Sequence, residues 1–222
     1  MNVSHRFVII AAVFVTCLIT ANIIAVKVIS FGSIILPAAI FVFPVSYIFG
    51  DVLTEVWGYR WARRVIWLGF ICNLIFVFFA WVGLKLPPAP FWGDQEAYKT
   101  ILGYAPRLLV ASFCGYLAGE FANSFVLAKM KILTKGRWLW SRTIGSTVVG
   151  EGLDTAIFIT LAFTGTSSFA PIMILYHWLA KTLIEAIATP LTYAVVNYLK
   201  RKEAIDTYDY ATDFSPFSLK LS

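Results

Sequence analysis

FVIIAAVFVTCLITANIIAV, residues 7–26, runs for twenty positions without a charged side chain. About 20 apolar residues, rising 1.5 Å each as a helix, cross the roughly 30 Å hydrocarbon layer of a bilayer. The stretch therefore predicts a transmembrane helix. No small-residue cleavage site follows it, so it reads as a retained helix and not as a signal peptide. Working outward along the chain, five more stretches meet the same length criterion: 34–56, 64–84, 106–128, 143–164 and 171–198. Pro37, Pro44 and Asp51 interrupt the second, and the sixth is long enough to tilt or to bend near Pro190.

Composition points the same way. Hydrophobic residues make up 59% of the chain and charged residues only 14%, with a mean hydropathy of +0.78. Soluble domains sit nearer half apolar and a quarter charged. The expected fold class is an all-α integral membrane protein with six transmembrane helices over residues 1–202, followed by a loosely ordered tail over 203–222. Cys17, Cys72 and Cys114 lie inside apolar stretches with no CxxC or metal-ligand spacing.

Orientation follows from basic residues in short loops. Arg6 precedes the first span, and Arg60, Arg63 and Arg64 follow the second. Lys129, Lys131, Lys135, Arg137 and Arg142 lie between the fourth and fifth, and Lys200, Arg201 and Lys202 close the sixth. The opposite side carries only Lys27, Lys85, Lys99 and Arg107, with Asp94 and Glu96 among them. This asymmetry places both termini in the cytoplasm. Trp57, Trp61, Trp138 and Trp140 are then expected at the cytoplasmic interface, with Trp81 and Trp92 at the other. The segment 85–105, with its run LPPAPFWGD, is the sizeable external loop; it reads as a connector, or alternatively as a lid over an external entrance.

Ionisable groups at membrane depth are expensive and tend to mark a pathway or a binding site. Here they recur in one pattern: GDVLTE at 50–55, GEFANS at 119–124 and GEGLDT at 150–155. Residues three apart share a helix face, so Asp51 lines up with Thr54, Glu120 with Asn123, and Glu151 with Asp154. Each leading acid lies nine residues from a basic edge residue, Arg60, Lys129 or Arg142, which sets all three at one depth of about 13 Å. The glycines allow close approach of a neighbouring helix or a ligand. The sixth span adds Lys181 and Glu185 on one face, and Asn73 and Asn22 supply amides.

Such groups also serve as interhelical hydrogen-bond glue, worth about 0.6–2 kcal/mol each. Under that reading Lys181 and Glu185 form a self-contained ion pair, and Asp51 and Glu55 sit at the water interface. Against it, four deep acids (Glu120, Glu151, Asp154 and Glu185) face one deep base, Lys181. Carboxylates are acceptors that take paired N–H donors well. A planar nitrogen heterocycle with an amidine-like edge offers such a pair, and Trp178, Tyr116 or Phe158 could stack on its ring.

The runs GDVLTEVWGYRWARR (50–64), GEFANSFVLAKMK (119–131) and SRTIGSTVVGEGLDTAIF (141–158) resemble the signature stretches of the queuosine precursor transporter family, of the vitamin-uptake type. The resemblance extends to about residue 200. It implies import, across a bacterial inner membrane, of 7-deazaguanine bases (7-cyano-7-deazaguanine or its aminomethyl counterpart) that feed queuosine in tRNA. It also implies a fold like that of the substrate-binding subunits of energy-coupling-factor transporters. The partners so implied are the deazapurine and the lipid bilayer, with no direct contact to nucleic acid and no cofactor. A homo-oligomer and an energising partner both stay open.

The substrate-binding candidates are then Glu120 or Glu151 on the N–H edge of the base, Asn123 and Asp154 on neighbouring polar atoms, and Asn73 on the cyano or carbonyl side. Lys181, Glu185 and Asp51 complete the set. Two other functions compete: a binding subunit for a different vitamin-like heterocycle that needs a partner ATPase, and a membrane enzyme working through the acids. The chain has no Walker A run, no HExxH and no GxSxG, and its histidines are His5 and His177 alone.

Overall fold

The computed structural model describes residues 4–31, 34–103, 106–165 and 171–218. Within them, six helices are long and apolar enough to cross a membrane. In chain order the elements are α1 (His5–Ile24), a hairpin of β1 (Val28–Phe31) and β2 (Ile34–Pro37), a 3-10 turn (Ala38–Phe41), α2 (Phe43–Trp57), α3 (Tyr59–Lys85), the short α4 (Gln95–Leu102), α5 (Pro106–Leu133), α6 (Leu139–Phe163) and α7 (Ile172–Glu203). The architecture is all-α apart from that hairpin, whose antiparallel register pairs Val28 with Pro37 and Phe31 with Ile34.

The second expected span is shorter than its hydropathy suggests. Its first residues, 34–37, form β2, and α2 begins only at Phe43. Pro44 stands in the first turn of α2, where a missing N–H costs nothing. Pro190, by contrast, lies inside α7, which continues through it to Glu203. The segment expected as a connector carries a helix of its own, α4. The Tyr98 hydroxyl on α4 lies 2.5 Å from where a Cβ on Gly83 would stand, so the glycine lets α4 lie against the end of α3.

α2 is the most enclosed helix, with 72% of its span buried, and it packs against α1, α3, α5 and α7. In lipid, burying apolar surface gains little, so close packing of small residues and polar contacts must hold helices together. The α5–α6 pair shows how. A Cβ on Gly119 would stand 2.9 Å from the carbonyl of Gly150, and a Cβ on Gly150 would stand 2.9 Å from the carbonyl of Gly119. Gly115 sits one turn away in the same seam, its Cβ position 2.7 Å from Asp154 Oδ1. Apolar packing is densest around α1, α2 and α3, where Phe14, Leu18, Val52, Val56, Trp57 and Ile66 are buried. Trp57 therefore belongs to the core, edge-on to Phe7 at 5.3 Å, and not to an interfacial belt. Trp138, Trp140, Trp81 and Trp92 are exposed, as belt residues would be.

The tail departs most from expectation. Residues 203–218 strap back across the end of the bundle where α1 starts and α7 finishes. Arg6 pairs with Glu203 at 2.8 Å. Asp209 Oδ2 accepts the Tyr59 backbone N–H at 3.0 Å, capping α3 in place of the side chain that Gly58 lacks. Arg63 donates to the carbonyls of Asp213 and Ser215, and the Trp67 indole donates to that of Pro216. Gly58 is required twice over: its φ is +87°, and a Cβ would stand 2.7 Å from Thr207 Cγ2.

Candidate functional site

α2, α5, α6 and α7 bring seven of the eight candidate residues together in one buried layer. Asn123 Nδ2 donates to Asp51 Oδ1 at 2.7 Å, tying α5 to α2. Lys181 on α7 reaches two acids of α6. It donates to Asp154 Oδ2 at 2.7 Å and lies 2.8 Å from Glu151 Oε2 as an ion-pair contact without hydrogen-bond alignment. The Phe43 ring packs over the same ammonium at 4.9 Å. Lys181 therefore pairs across helices, and the self-contained Lys181–Glu185 pair is not formed.

Three carboxyl groups remain without a cation among the described residues. Glu120 is fully buried and neither of its oxygens has a hydrogen-bond partner. Asp51 keeps Oδ2 unpartnered beyond its bond to Asn123, whose own Oδ1 is also unpartnered. Glu185 accepts no aligned hydrogen bond, with the Thr147 hydroxyl beside it. A buried polar group without a partner costs about 1–3 kcal/mol, and more for a charge. Orphans on this scale, gathered in one layer, leave a surface of unpartnered acceptors. Position is also constrained: a Cβ on Gly50 would stand 3.0 Å from Glu120 Oε2, so the glycine lets that carboxyl lie close against α2.

Asn73 is the eighth candidate. It is buried on α3 with Oδ1 unpartnered. It lies one turn beyond Gly69, whose surroundings are Leu18, Phe14 and the Tyr116 hydroxyl, and not the Lys181 cluster. The stacking candidates are partly committed elsewhere. Trp178 Nε1 donates to the Val148 carbonyl at 2.9 Å, and Tyr116 donates to the Ile66 carbonyl at 3.0 Å. Phe158 packs edge-on to Phe163 and lies against Gly115.

The family described as "Putative vitamin uptake transporter" matches residues 37–195. The chain belongs to this family. All eight candidate residues fall inside the matched range, and α1 and the tail fall outside it. The chain is also 31% identical over 159 residues to the "Probable queuosine precursor transporter" of Bacillus subtilis (strain 168), covering 69% of this chain and 68% of that relative. No solved structure matches the chain. It is thus a multi-pass membrane transporter and not an enzyme.

For a transporter of this family, a second polar centre stands out that the sequence reading left at the water's edge. Glu55, one helical turn from Asp51, is fully buried. Its Oε1 lies 2.7 Å from Arg142, 2.7 Å from Lys200 and 3.6 Å from Lys131. Lys131 also donates to the Glu55 carbonyl, to Asp206 at 2.6 Å and to the Thr207 carbonyl. One carboxylate thus ties α2, α5, α6 and α7 to the tail and seals that end beneath the acid layer. Lys131 and Arg142 are buried members of this network and not edge residues. Asp206, outside the spans, is pushed up by burial, but hydrogen bonds from Lys131 and Lys200 win and hold its carboxyl below the ordinary value of 3.8. The signal for this centre was the excess of basic residues itself, read there only as topology.

At the end of α3 and along α4, a cleft of about 280 Å³ is lined by Gly83, Leu86, Trp92, Gln95 and Tyr98. It does not touch the acids.

Proposed function

We propose that this chain imports 7-deazaguanine bases, precursors of queuosine, across a bacterial inner membrane, and that the acid layer binds them. The observation that carries the reading is Glu120: a carboxyl enclosed in the bundle with both oxygens unpartnered, in a chain similar to a relative named for queuosine precursors. A 7-deazaguanine presents N1–H and an exocyclic amine side by side, and a carboxylate accepts that pair in two parallel bonds. Asp51 Oδ2 and Asn123 Oδ1 supply further acceptors next to it. Lys181, Glu151 and Asp154 form the opposite wall, and Glu185 completes the layer. Asn73 serves an outer contact on the path of the base.

Orientation belongs to the same proposal. The start of α1, the end of α7 and the Glu55 network share one end, which holds most of the basic residues. The positive-inside rule assigns that end to the cytoplasm. The Glu55 network closes the layer off at that end, so release there requires the helices to move. The family description favours a second reading, in which the cargo is another vitamin-like heterocycle.

The test uses bacteria that cannot make deazaguanine precursors and lack their own importer, with queuosine in tRNA as the readout at low external 7-cyano-7-deazaguanine. Restoration by this chain, lost with Glu120→Gln at normal membrane levels, supports both cargo and site. Restoration that survives Glu120→Gln removes the site assignment. No restoration by well-expressed protein favours the other cargo, which a thermal-shift panel of heterocycles would then identify.

A further inference from the structure

Tyr47 stands on α2 one turn before Asp51, where α2, α5 and α6 converge. The residue is 2% exposed, and its hydroxyl has no hydrogen-bond partner. That oxygen lies 2.6 Å from where a Cβ on Gly119 would stand, so the glycine of GEFANS makes room for it. The same Cβ position lies 2.7 Å from Asp154 Cβ, so the hydroxyl stands at the seam that carries the acids of α6. A phenol O–H normally finds a partner when buried, and this one has none.

The donor balance of the layer gives the hydroxyl its role. The Lys181 ammonium sits on Glu151 and Asp154, one N–H of the Asn123 amide goes to Asp51, and the Thr147 hydroxyl stands beside Glu185. Carboxylates offer acceptors only. A guanine-type base, however, carries a ring carbonyl next to the N1–H that the carboxylate takes. Without a donor aimed at it, that carbonyl would be buried unpaired, at a cost of about 1–3 kcal/mol.

We propose that Tyr47 is a substrate-binding and specificity-determining residue whose hydroxyl donates to the 6-oxo group of the bound base. The assignment rests on the deazaguanine reading above. Tyr47 and Glu120 then read the same edge of the ring, the one donating and the other accepting. A base with an amino group at position 6 lacks both the oxo acceptor for the hydroxyl and the N1–H for Glu120, so it forfeits both of these bonds.

The experiment compares purified wild-type protein with Tyr47→Phe, which removes only the hydroxyl. Two ligands are used: 7-cyano-7-deazaguanine and its 6-thio analogue, which keeps N1–H and the amine but offers a weak sulfur acceptor. Wild type is expected to bind the oxo base about tenfold more tightly than the thio base, the scale of one neutral hydrogen bond. Tyr47→Phe is expected to lose that preference, binding the oxo base about tenfold more weakly and the thio base unchanged. Without ligand the variant should melt no lower than wild type, because it removes an unpartnered group. Equal oxo preference in both proteins overturns the assignment. A ligand-free variant that melts several degrees lower and weakens both ligands equally also overturns it, since the hydroxyl is then structural. If wild type binds neither base, the deazaguanine reading itself fails and takes this one with it.

Discussion

Lys181 is the cation on which two acids of the layer depend, and replacing it with methionine tests how the layer is held. Methionine keeps the length and most of the volume of the side chain, so packing against Phe43 survives. What is lost is the charge 2.7 Å from Asp154 and 2.8 Å from Glu151. The layer would then hold Asp51, Glu120, Glu151, Asp154 and Glu185 with no cation beside any of them. Removing one partner of a buried pair costs about 3–5 kcal/mol, because the other partner is left uncompensated. For a chain of this size each kcal/mol moves the melting point by about 2–4 °C. Lys181→Met should therefore melt roughly 6–20 °C below wild type in detergent, followed by tryptophan emission.

The companion variant distinguishes an ion pair from simple packing. Adding Glu151→Gln and Asp154→Asn to Lys181→Met removes the stranded acids, so the triple variant should regain at least half of the lost stability. It should still fail to import, having lost one wall of the proposed site. A Lys181→Met protein melting within a degree or two of wild type would refute the reasoning. So would a triple variant whose loss is the sum of its parts, because both outcomes mean that the charges do not interact as the distances require.

Gly150→Ala places a methyl 2.7 Å from Asn123 Cβ and 2.9 Å from the Gly119 carbonyl, so it should cost about 1–3 kcal/mol and separate α5 from α6, read as a lower melting point. The bond from Asn123 to Asp51 should loosen with it, weakening substrate binding more than Gly145→Ala, where the neighbour is the flexible end of Met130. Asp206→Asn tests the strap by pH. The Asp206 carboxyl is held below its ordinary value, so its contribution to stability is complete above that value and is lost as pH falls through the lower folded value. The melting-point gap between wild type and Asp206→Asn should be constant near neutral pH and close only as the pH falls below 3.8 and through the lower folded value, where both proteins are neutral at this position. A gap that widens in acid would refute that assignment.

How much of this was legible in the sequence depends on what each residue's placement requires. The six spans follow from hydropathy and length, quantities local to each stretch. The β1–β2 hairpin escaped because an apolar run of strand length looks the same as the first turn of a helix until Pro37 and Pro44 are placed. The acid layer was legible because three repeated glycine–acid patterns at one depth place Asp51, Glu120 and Glu151 together whatever the helix order. The partner of Lys181 was not legible. Glu185 is one turn away on its own helix, whereas Glu151 and Asp154 come into reach only once α6 lies against α7. Tyr47 was missed for a similar reason, since an aromatic on an apolar helix gives no sign of whether its hydroxyl is satisfied.

Glu55 and the tail carry the argument further. A sequence rich in Lys and Arg at one membrane edge satisfies the positive-inside rule whether those side chains face lipid headgroups or each other. Here Lys131, Arg142 and Lys200 converge on one buried carboxylate and on Asp206 of the tail. The same residues that carry the orientation argument therefore also tie that end of the bundle together. The two polar layers differ in one physical respect. Around Glu55 each acid meets more than one cation, an arrangement suited to closure. Around Glu120 acceptors outnumber donors, an arrangement that the proposed base, with N–H groups to give, would complete. Opening the first layer while the second holds its base would release that base to the side where the tail lies.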